Sequence, residues 1–161
     1  MLKARDLMVR STAVCSPGET LRVAAQRMRE KDCGILPVVN KAREVVGVLT
    51  DRDICFAADE AGKPLDQIPV ESAMTTGVRS VSTRADVADI HDVMREYAVR
   101  RVPILDDDHR LTGIVSIDDL AARSSGDESV DGAKMSRMVT ETLAAIARRH
   151  AARVVPTRPM L

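Results

Sequence analysis

Residues Met8 to Ile54 align without a gap on Met74 to Leu120 at a constant offset of 66. Pro37 falls on Pro103, Gly47 on Gly113 and Asp53 on Asp119, and Met28-Arg29-Glu30 returns unchanged as Met94-Arg95-Glu96 within otherwise diverged sequence. A fixed period of this length is the mark of one small supersecondary unit written twice. Neither copy is long enough to bury a stable core by itself, so the pair is expected to fold as one body.

Each copy reads in the same order. A short extended piece, Ala13-Val14-Cys15 or Arg79-Ser80-Val81, runs into a polar turn that ends on a candidate N-cap, Thr20 or Asp86. Leu21, Ala24, Ala25 and Met28, and in the second copy Val87, Ile90 and Met94, then recur at the spacing of one helical face. Ile35 to Val39 and Arg101 to Leu105 follow as strands, and their prolines, lacking a ladder donor, predict an edge or strand-start position. A polar hairpin leads to Val45-Val46-Gly47-Val48-Leu49 or Leu111-Thr112-Gly113-Ile114-Val115, and a second helix is expected from Thr50 or Ser116. The unit is thus β-α-β-β-α, and two of them make an α/β (α+β) two-layer body.

The expected organisation is a first repeat at 1–61, a second at 62–122, a linker at 123–132, an amphipathic helix at 133–153 and a frayed tail at 154–161. Met135, Met138, Val139, Thr142, Leu143, Ile146 and His150 fall on one side of that helix, while Arg148, Arg149 and Arg153 suit its negative end. Such an apolar stripe needs a surface to cover.

Composition narrows function by exclusion. Lys+Arg and Asp+Glu number 24 each, so no global field steers the chain to nucleic acid or anionic lipid. One Phe, one Tyr and no Trp leave no stacking platforms for single strands. No apolar run approaches the ~18 residues of a membrane span, and no secretory leader opens the chain, so a cytoplasmic protein is expected. Cys15, Cys33 and Cys55 align on Val81, Val99 and Ala121, which predicts small buried hydrophobes rather than redox or metal groups. No nucleophile–base pair, metal cluster or P-loop lysine stands out, so catalysis is not expected.

The sharpest repeated pattern is Gly47-Val48-Leu49-Thr50-Asp51-Arg52-Asp53 against Gly113-Ile114-Val115-Ser116-Ile117-Asp118-Asp119. Glycine admits a close neighbour to the strand, the hydroxyl stands at a helix N-cap, and the acid lies one turn on. A helix start offers free N–H groups and a positive dipole end, to which Thr50 or Ser116 adds a hydroxyl. Asp53 and Asp119 are placed to accept from ribose hydroxyls, as acids do in dinucleotide sites. The same spacing is also a plain capping box. Two occurrences at equivalent places, each behind an apolar strand and a glycine, favour the ligand reading.

With "SPGETLRVAAQRMREKDCGILPVV" and "VVGVLTDRDI" in the first copy, and "VRRVPIL" and "LTGIVSIDDL" in the second, about three quarters of the chain resembles a pair of cystathionine-β-synthase-type (CBS) domains, the Bateman module. It is similar to small bacterial stand-alone CBS pairs, some of them stress-related. The resemblance implies two clefts about a pseudo-twofold axis, each receiving an adenosine compound: AMP first, with ATP, ADP, NAD or S-adenosylmethionine as alternatives and no obligatory cofactor. Carried over, Thr50 and Ser116 contact phosphate and Asp53 and Asp119 hold ribose; Arg52, an arginine near a helix start, is expected to strengthen the phosphate site. Val14, Ile35 and Leu36, and in the second copy Ser80, Arg101 and Val102, face the base. It further implies a homodimer formed through helix faces such as those bearing Met28 and Met94, and a protein client of unknown identity. The copies differ at Gly34-Ile35 against Arg100-Arg101 and at Arg52 against Asp118, so unequal clefts are expected. The competing expectation is a ligand-free dimeric scaffold with vestigial clefts.

Overall fold

The computed structural model describes residues 2–10, 12–125 and 129–153. The expected tail at 154–161 and the middle of the expected linker, 126–128, lie outside the described residues. In chain order the elements are α1 (Ala4–Leu7), α2 (Leu21–Glu30), β1 (Ile35–Val39), β2 (Val45–Thr50), α3 (Asp51–Ala61), two 3-10 turns (Leu65–Gln67 and Val70–Ser72), β3 (Val81–Ser82), α4 (Val87–Tyr97), β4 (Arg101–Leu105), β5 (Leu111–Ser116), α5 (Ile117–Ser124) and α6 (Val130–Arg153). Both copies therefore follow the β-α-β-β-α order, except that the first strand of copy one is reduced to a single parallel bridge, Cys15 to Val38.

The chain divides into two compact units. The first-copy unit is drawn from Val9–Ser80 and Leu105–Gly113, the second-copy unit from Met1–Met8, Val81–Ile104 and Ile114–Leu161. In the first, Leu21, Leu36, Val38, Leu49 and Val70 are fully buried among Cys15, Ala24 and Met28. In the second, Ile90, Met94, Val102, Ile104 and Val115 are enclosed together with Ala4 and, from α6, Met135 and Val139.

Segments that precede each repeat have changed places. The Val70 N–H donates to Glu19 O at 2.8 Å and Glu71 N–H to Pro17 O at 3.0 Å. One offset of 66 away in pairing, though from the chain's start, Ala4 N–H donates to Ala85 O at 2.9 Å and Arg5 N–H to Thr83 O at 3.2 Å. The Thr20–Pro69 bridge likewise has its twin in Lys3–Asp86, where the ammonium adds a 2.6 Å ion pair. The 3–8 segment thus completes the core of the second copy, not of the copy it precedes.

Backbone geometry repeats with the same period. Asp32 and Ala98 end their helices at φ 48° and 52°, and Arg43 and His109 turn their hairpins at φ 66° and 60°. All four are non-glycine residues in the left-handed region, which favours glycine.

The proline strands are inner strands, against the edge expectation. In the second sheet β4 lies between β3 and β5. In the first, β1 pairs antiparallel with β2 on one side and takes the Cys15 bridge on the other, where Cys15 N–H donates to Pro37 O at 3.0 Å. The flanking piece is one or two residues long in each case, so few ladder bonds are available on that side and a missing proline N–H costs little.

Other expectations shift at the ends of elements. α5 continues to Ser124 and α6 begins at Val130, so the helices take residues assigned to the linker from both sides. Ser129 explains the early start: its hydroxyl accepts from Gly132 N–H at 3.2 Å, and its carbonyl from Ala133 N–H at 3.0 Å. Leu143 is 42 % exposed while Thr142 is 1 % exposed, so among the described side chains the buried stripe of α6 includes Met135, Val139, Thr142 and Ile146, and the His150 side chain lies outside the described residues. Arg149 caps another helix: its guanidinium donates to Tyr97 O, at the end of α4, at 2.7 Å. Of the cysteines only Cys15 is buried; Cys33 is half-buried and Cys55, on α3, is exposed.

Candidate functional site

Each strand-to-helix corner is built by its own sequence. Thr50 leaves β2 in an extended conformation and caps α3. Its hydroxyl accepts from Asp53 N–H at 3.1 Å and donates to Asp53 Oδ2 at 2.7 Å, while Thr50 N–H donates to the same oxygen at 2.9 Å. Ser116 and Asp119 reproduce this at the start of α5 with distances of 3.1, 2.6 and 2.7 Å. The capping box is thus fully formed in both copies. It engages only one oxygen of each acid. Oδ1 of Asp53 and of Asp119 accepts no hydrogen bond among the described residues, and both acids are half-buried.

The corners diverge at the remaining N–H groups of the first helical turn. In the first copy Asp51 N–H donates to Gly34 O at 3.1 Å, and Asp51 turns its carboxylate back so that Oδ1 accepts from Arg52 N–H at 2.7 Å. A Cβ on Gly34 would stand 3.0 Å from Asp51 Oδ2, so the absent side chain is what admits this carboxylate. The helix start of α3 already holds an anion of its own. In the second copy Ile117 N–H donates to Arg100 O at 2.9 Å, but the apolar Ile117 side chain has nothing to offer the next amide. Asp118 N–H has no partner among the described residues, and Arg101, half-buried beside this corner, makes no ion pair there.

The remaining predicted positions sort by contact. Ile35 pairs with Thr50 in the β1–β2 register, which brings it to the first corner. Leu36 and Val102 are fully enclosed in their cores, backbone and side chain alike. Val14 lines a cavity of about 570 Å³ with Glu19, Arg27, Lys31 and Asn40, and neither Thr50 nor Asp53 lines it. Ser80 belongs to the first-copy unit, Arg101 and Val102 to the second. Arg52 does not turn toward the helix start: its guanidinium lies 5.0 Å from the centre of the Phe56 ring, along the outer side of α3. Gly47 receives the chain's own backbone, since a Cβ there would come within 3.0 Å of Thr75 O and 2.7 Å of Met74 Sδ.

One polar pair escaped the motif reading. Arg27 forks the Glu19 carboxylate at 2.7 and 2.6 Å and donates to Val14 O at 2.8 Å. That bidentate hydrogen bond holds the Glu19 carboxyl down at about 2. The signal was present in the repeat: the counterparts of Glu19 and Arg27 are Ala85 and Val93, a joint loss of both charges. Beside them burial pushes the Cys15 thiol up to about 12, which keeps it protonated and unreactive.

The family model "CBS domain" matches residues 4–60 and again 70–126. The chain belongs to the CBS-domain family. It is 34 % identical over 133 residues to the CBS domain-containing protein YhcV of Bacillus subtilis, covering 83 % of this chain and 93 % of that one. Hypoxic response protein 1 of Mycobacterium tuberculosis is 37 % identical over 121 residues, 75 % of this chain and 84 % of the relative. The crystal structure of Hypoxic Response Protein I, with two coordinated zinc ions, superposes with a TM-score of 0.69 at 36 % identity, over 75 % of this chain and 98 % of that one. The structure of CBSX2 in complex with AMP has a TM-score of 0.66 over 77 % of this chain and 96 % of that one; at 23 % identity the likeness is one of fold. Zinc belongs to the relative: among the described residues here, no group of three or more His, Cys, Asp or Glu is placed to hold a metal. Stand-alone CBS pairs are in general regulatory modules without a catalytic centre of their own. No helix among the described residues is long and apolar enough to cross a membrane.

Proposed function

We propose that this CBS pair is a cytoplasmic, non-catalytic sensor of adenosine phosphates, AMP before ATP, ADP or NAD, that works as a homodimer and passes ligand binding to a protein client. Asp53 and Asp119 hold ribose hydroxyls through Oδ1, and Thr50 and Ser116 stand beside the phosphate. Val14, Ile35 and Leu36, and in the second copy Ser80, Arg101 and Val102, are the base-side positions.

The observation that carries this reading is the doubled corner, in which one carboxylate oxygen closes the capping box while the other stays unbonded. A carboxylate has lone pairs to spare on that second oxygen, so capping and ligand binding are compatible. The second corner is the stronger anion receptor, because it has a free Asp118 N–H and an unpaired Arg101, where the first has the Asp51 carboxylate. Arg52, stacked on Phe56, contributes little to either.

A thermal-shift panel of AMP, ADP, ATP, NAD and S-adenosylmethionine tests the reading, with an extrinsic dye because the chain has no Trp. A ligand bound only by the folded chain at a hundredfold excess over Kd stabilises it by about 2.7 kcal/mol. A clear rise with AMP is expected. A flat response to the whole panel favours the second reading, a dimeric scaffold whose corners are capping boxes alone, toward which the inward Asp51 carboxylate already points in copy one.

A further inference from the structure

α6 is seated on the second copy through a seam that is not wholly apolar. The helix packs along both α4 and α5. Toward α5 the Ser136 hydroxyl donates to that of Ser124 at 3.3 Å, and toward α4 Arg149 reaches Tyr97 O at 2.7 Å. Earlier on α4 comes His91, only 6 % exposed. Its Nε2 makes no hydrogen bond, nor does Oγ1 of Thr142 on α6, and among the described residues these are the two buried side-chain atoms left without such a partner. Folded interiors leave few groups in that state, and each calls for a reason. One offset earlier the counterpart of His91 is Ala25, on α2, so the imidazole is particular to the copy that carries α6.

Two carboxylates bracket the ring. Nδ1 lies 3.6 Å from Asp92 Oδ1 on its own helix, and Nε2 lies 3.5 Å from Glu141 Oε2 across the seam. A neutral imidazole has one N–H, so whichever nitrogen holds it, the other turns a lone pair toward a carboxylate oxygen. Imidazolium has two N–H groups and matches both acids at once. Burial opposes that charge, but acids on both sides favour it, and they keep their own hydration at 63 % and 50 % side-chain exposure. Arg95 of α4 stands 3.6 Å from Asp92 Oδ1 and shares that acid, which leaves Glu141 as the undivided partner. Arg137, one turn before Glu141 on α6, is exposed and forms no ion pair with it among the described residues. No charged group of α5, the strands or the 3–8 segment pairs with His91 among the described residues.

We propose that His91 and Glu141 form a proton-operated clasp: when the imidazole takes up a proton α6 is held more firmly on α4, and when the proton leaves the seam loosens. The seated helix brings the Glu141 carboxylate to the ring, and a lifted helix takes it away. Seating and protonation therefore favour each other, by the reciprocity that binds any two coupled equilibria. Histidine is the side chain whose ordinary titration falls between about pH 5 and 8. The hold is accordingly complete at the acid end of that span and is lost as the pH rises through it. The first copy has alanine at the corresponding place and, among the described residues of its unit, no third α-helix, so the device belongs to the second copy alone, beside the corner with the open amide.

The clasp needs no ligand, so its test omits nucleotide and its failure leaves the proposed function untouched. Hydrogen–deuterium exchange of the full chain is followed by mass spectrometry at about pH 5.5 and about pH 8, both above the ordinary carboxylate range, with rates corrected for intrinsic chemistry. Peptides of α6 are compared with those of α3, a control helix in the other unit of the same molecule. The expected result is α6 protection about five- to tenfold greater at the lower pH, the low end for a charge-assisted hydrogen bond because Glu141 is half-exposed, with α3 changing less than about twofold. Glu141→Gln keeps the side chain's shape and removes its charge, so its circular dichroism should match wild type while the α6 response falls to that of α3. His91→Gln should flatten the response as well, and Asp92→Asn should leave most of it. Wild-type α6 protection that is constant or rises with pH overturns the clasp. So does a response shared equally by α3, or one that persists in full in a folded Glu141→Gln chain.

Discussion

The first and second corners share a hydroxyl, an acid and hydrogen-bond lengths that agree within about 0.2 Å, yet they differ in what else occupies the helix start. The first copy fills it with Asp51, admitted by Gly34; the second leaves Asp118 N–H open next to Arg101. The same contrast runs through the helices: α6 packs along α4 and α5, and among the described residues the first-copy unit has no third α-helix to do the same for α2 and α3. Duplication preserved the scaffold, and divergence then changed what surrounds it: the second helix start keeps an open amide beside Arg101, and α6 is packed on the second copy's helix pair.

The largest effect expected from breaking that contrast lies in α6. If the helix is an integral layer of the second copy, Ile146→Ala should cost about 2–5 kcal/mol in denaturant unfolding, as for other buried truncations. Leu143→Ala, one turn away on the exposed side, should stay within about 0.5 kcal/mol. Equal, small effects from both would mean that α6 is an appendage.

Next comes the Glu19–Arg27 pair, which has no counterpart in the second copy. Arg27→Ala should cost about 1–2 kcal/mol, a modest sum because both side chains are about a third exposed (28 % and 35 %) and screened. Glu19 has its folded pKa depressed to about 2 from the ordinary 4.5, so its contribution is complete above pH 4.5 and is lost as the pH falls toward 2. Acid titration of wild type and Arg27→Ala should therefore converge over that window. Parallel curves would deny the pair its role.

Much of this architecture was legible in the sequence. The period located the repeat, Thr20, Thr50 and Ser116 cap the helices they were expected to cap, and Asp53 and Asp119 close the boxes. Those features are local, set by residues within a few positions of each other. What stayed hidden depends on distant packing. Periodicity cannot say that residues 3–8 complete the second core, that Pro103 sits in a middle strand, or that Arg149 reaches back to Tyr97. Asp51 looked like one more acid at a helix start, and only the space left by Gly34 reveals where its carboxylate turns.

A smaller effect should follow from removing that internal anion. Asp51→Ala frees Arg52 N–H and should raise the first corner's affinity for AMP on the order of fivefold, about 1 kcal/mol, narrowing the gap between the corners. Titration calorimetry of this variant in an Asp119→Ala background isolates the change, and an unaltered affinity would mean that the carboxylate does not compete.

The smallest separates the two helix ends. Ala98 holds φ 52° and Asp32 φ 48°, and of the two residue types aspartate is the better tolerated in the left-handed region. Ala98→Gly should therefore stabilise by up to about 1 kcal/mol in thermal unfolding, and Asp32→Gly by less. The reverse order would place the strain in the first copy.

The central claim, that the hydroxyl–acid corners bind adenosine phosphates and the second binds more tightly, meets its most direct test in calorimetric titration of AMP into wild type, Asp53→Ala and Asp119→Ala. The account predicts one dominant site per chain in wild type, retained by Asp53→Ala and abolished by Asp119→Ala. No binding by the wild type, or equal losses in both variants, would contradict it.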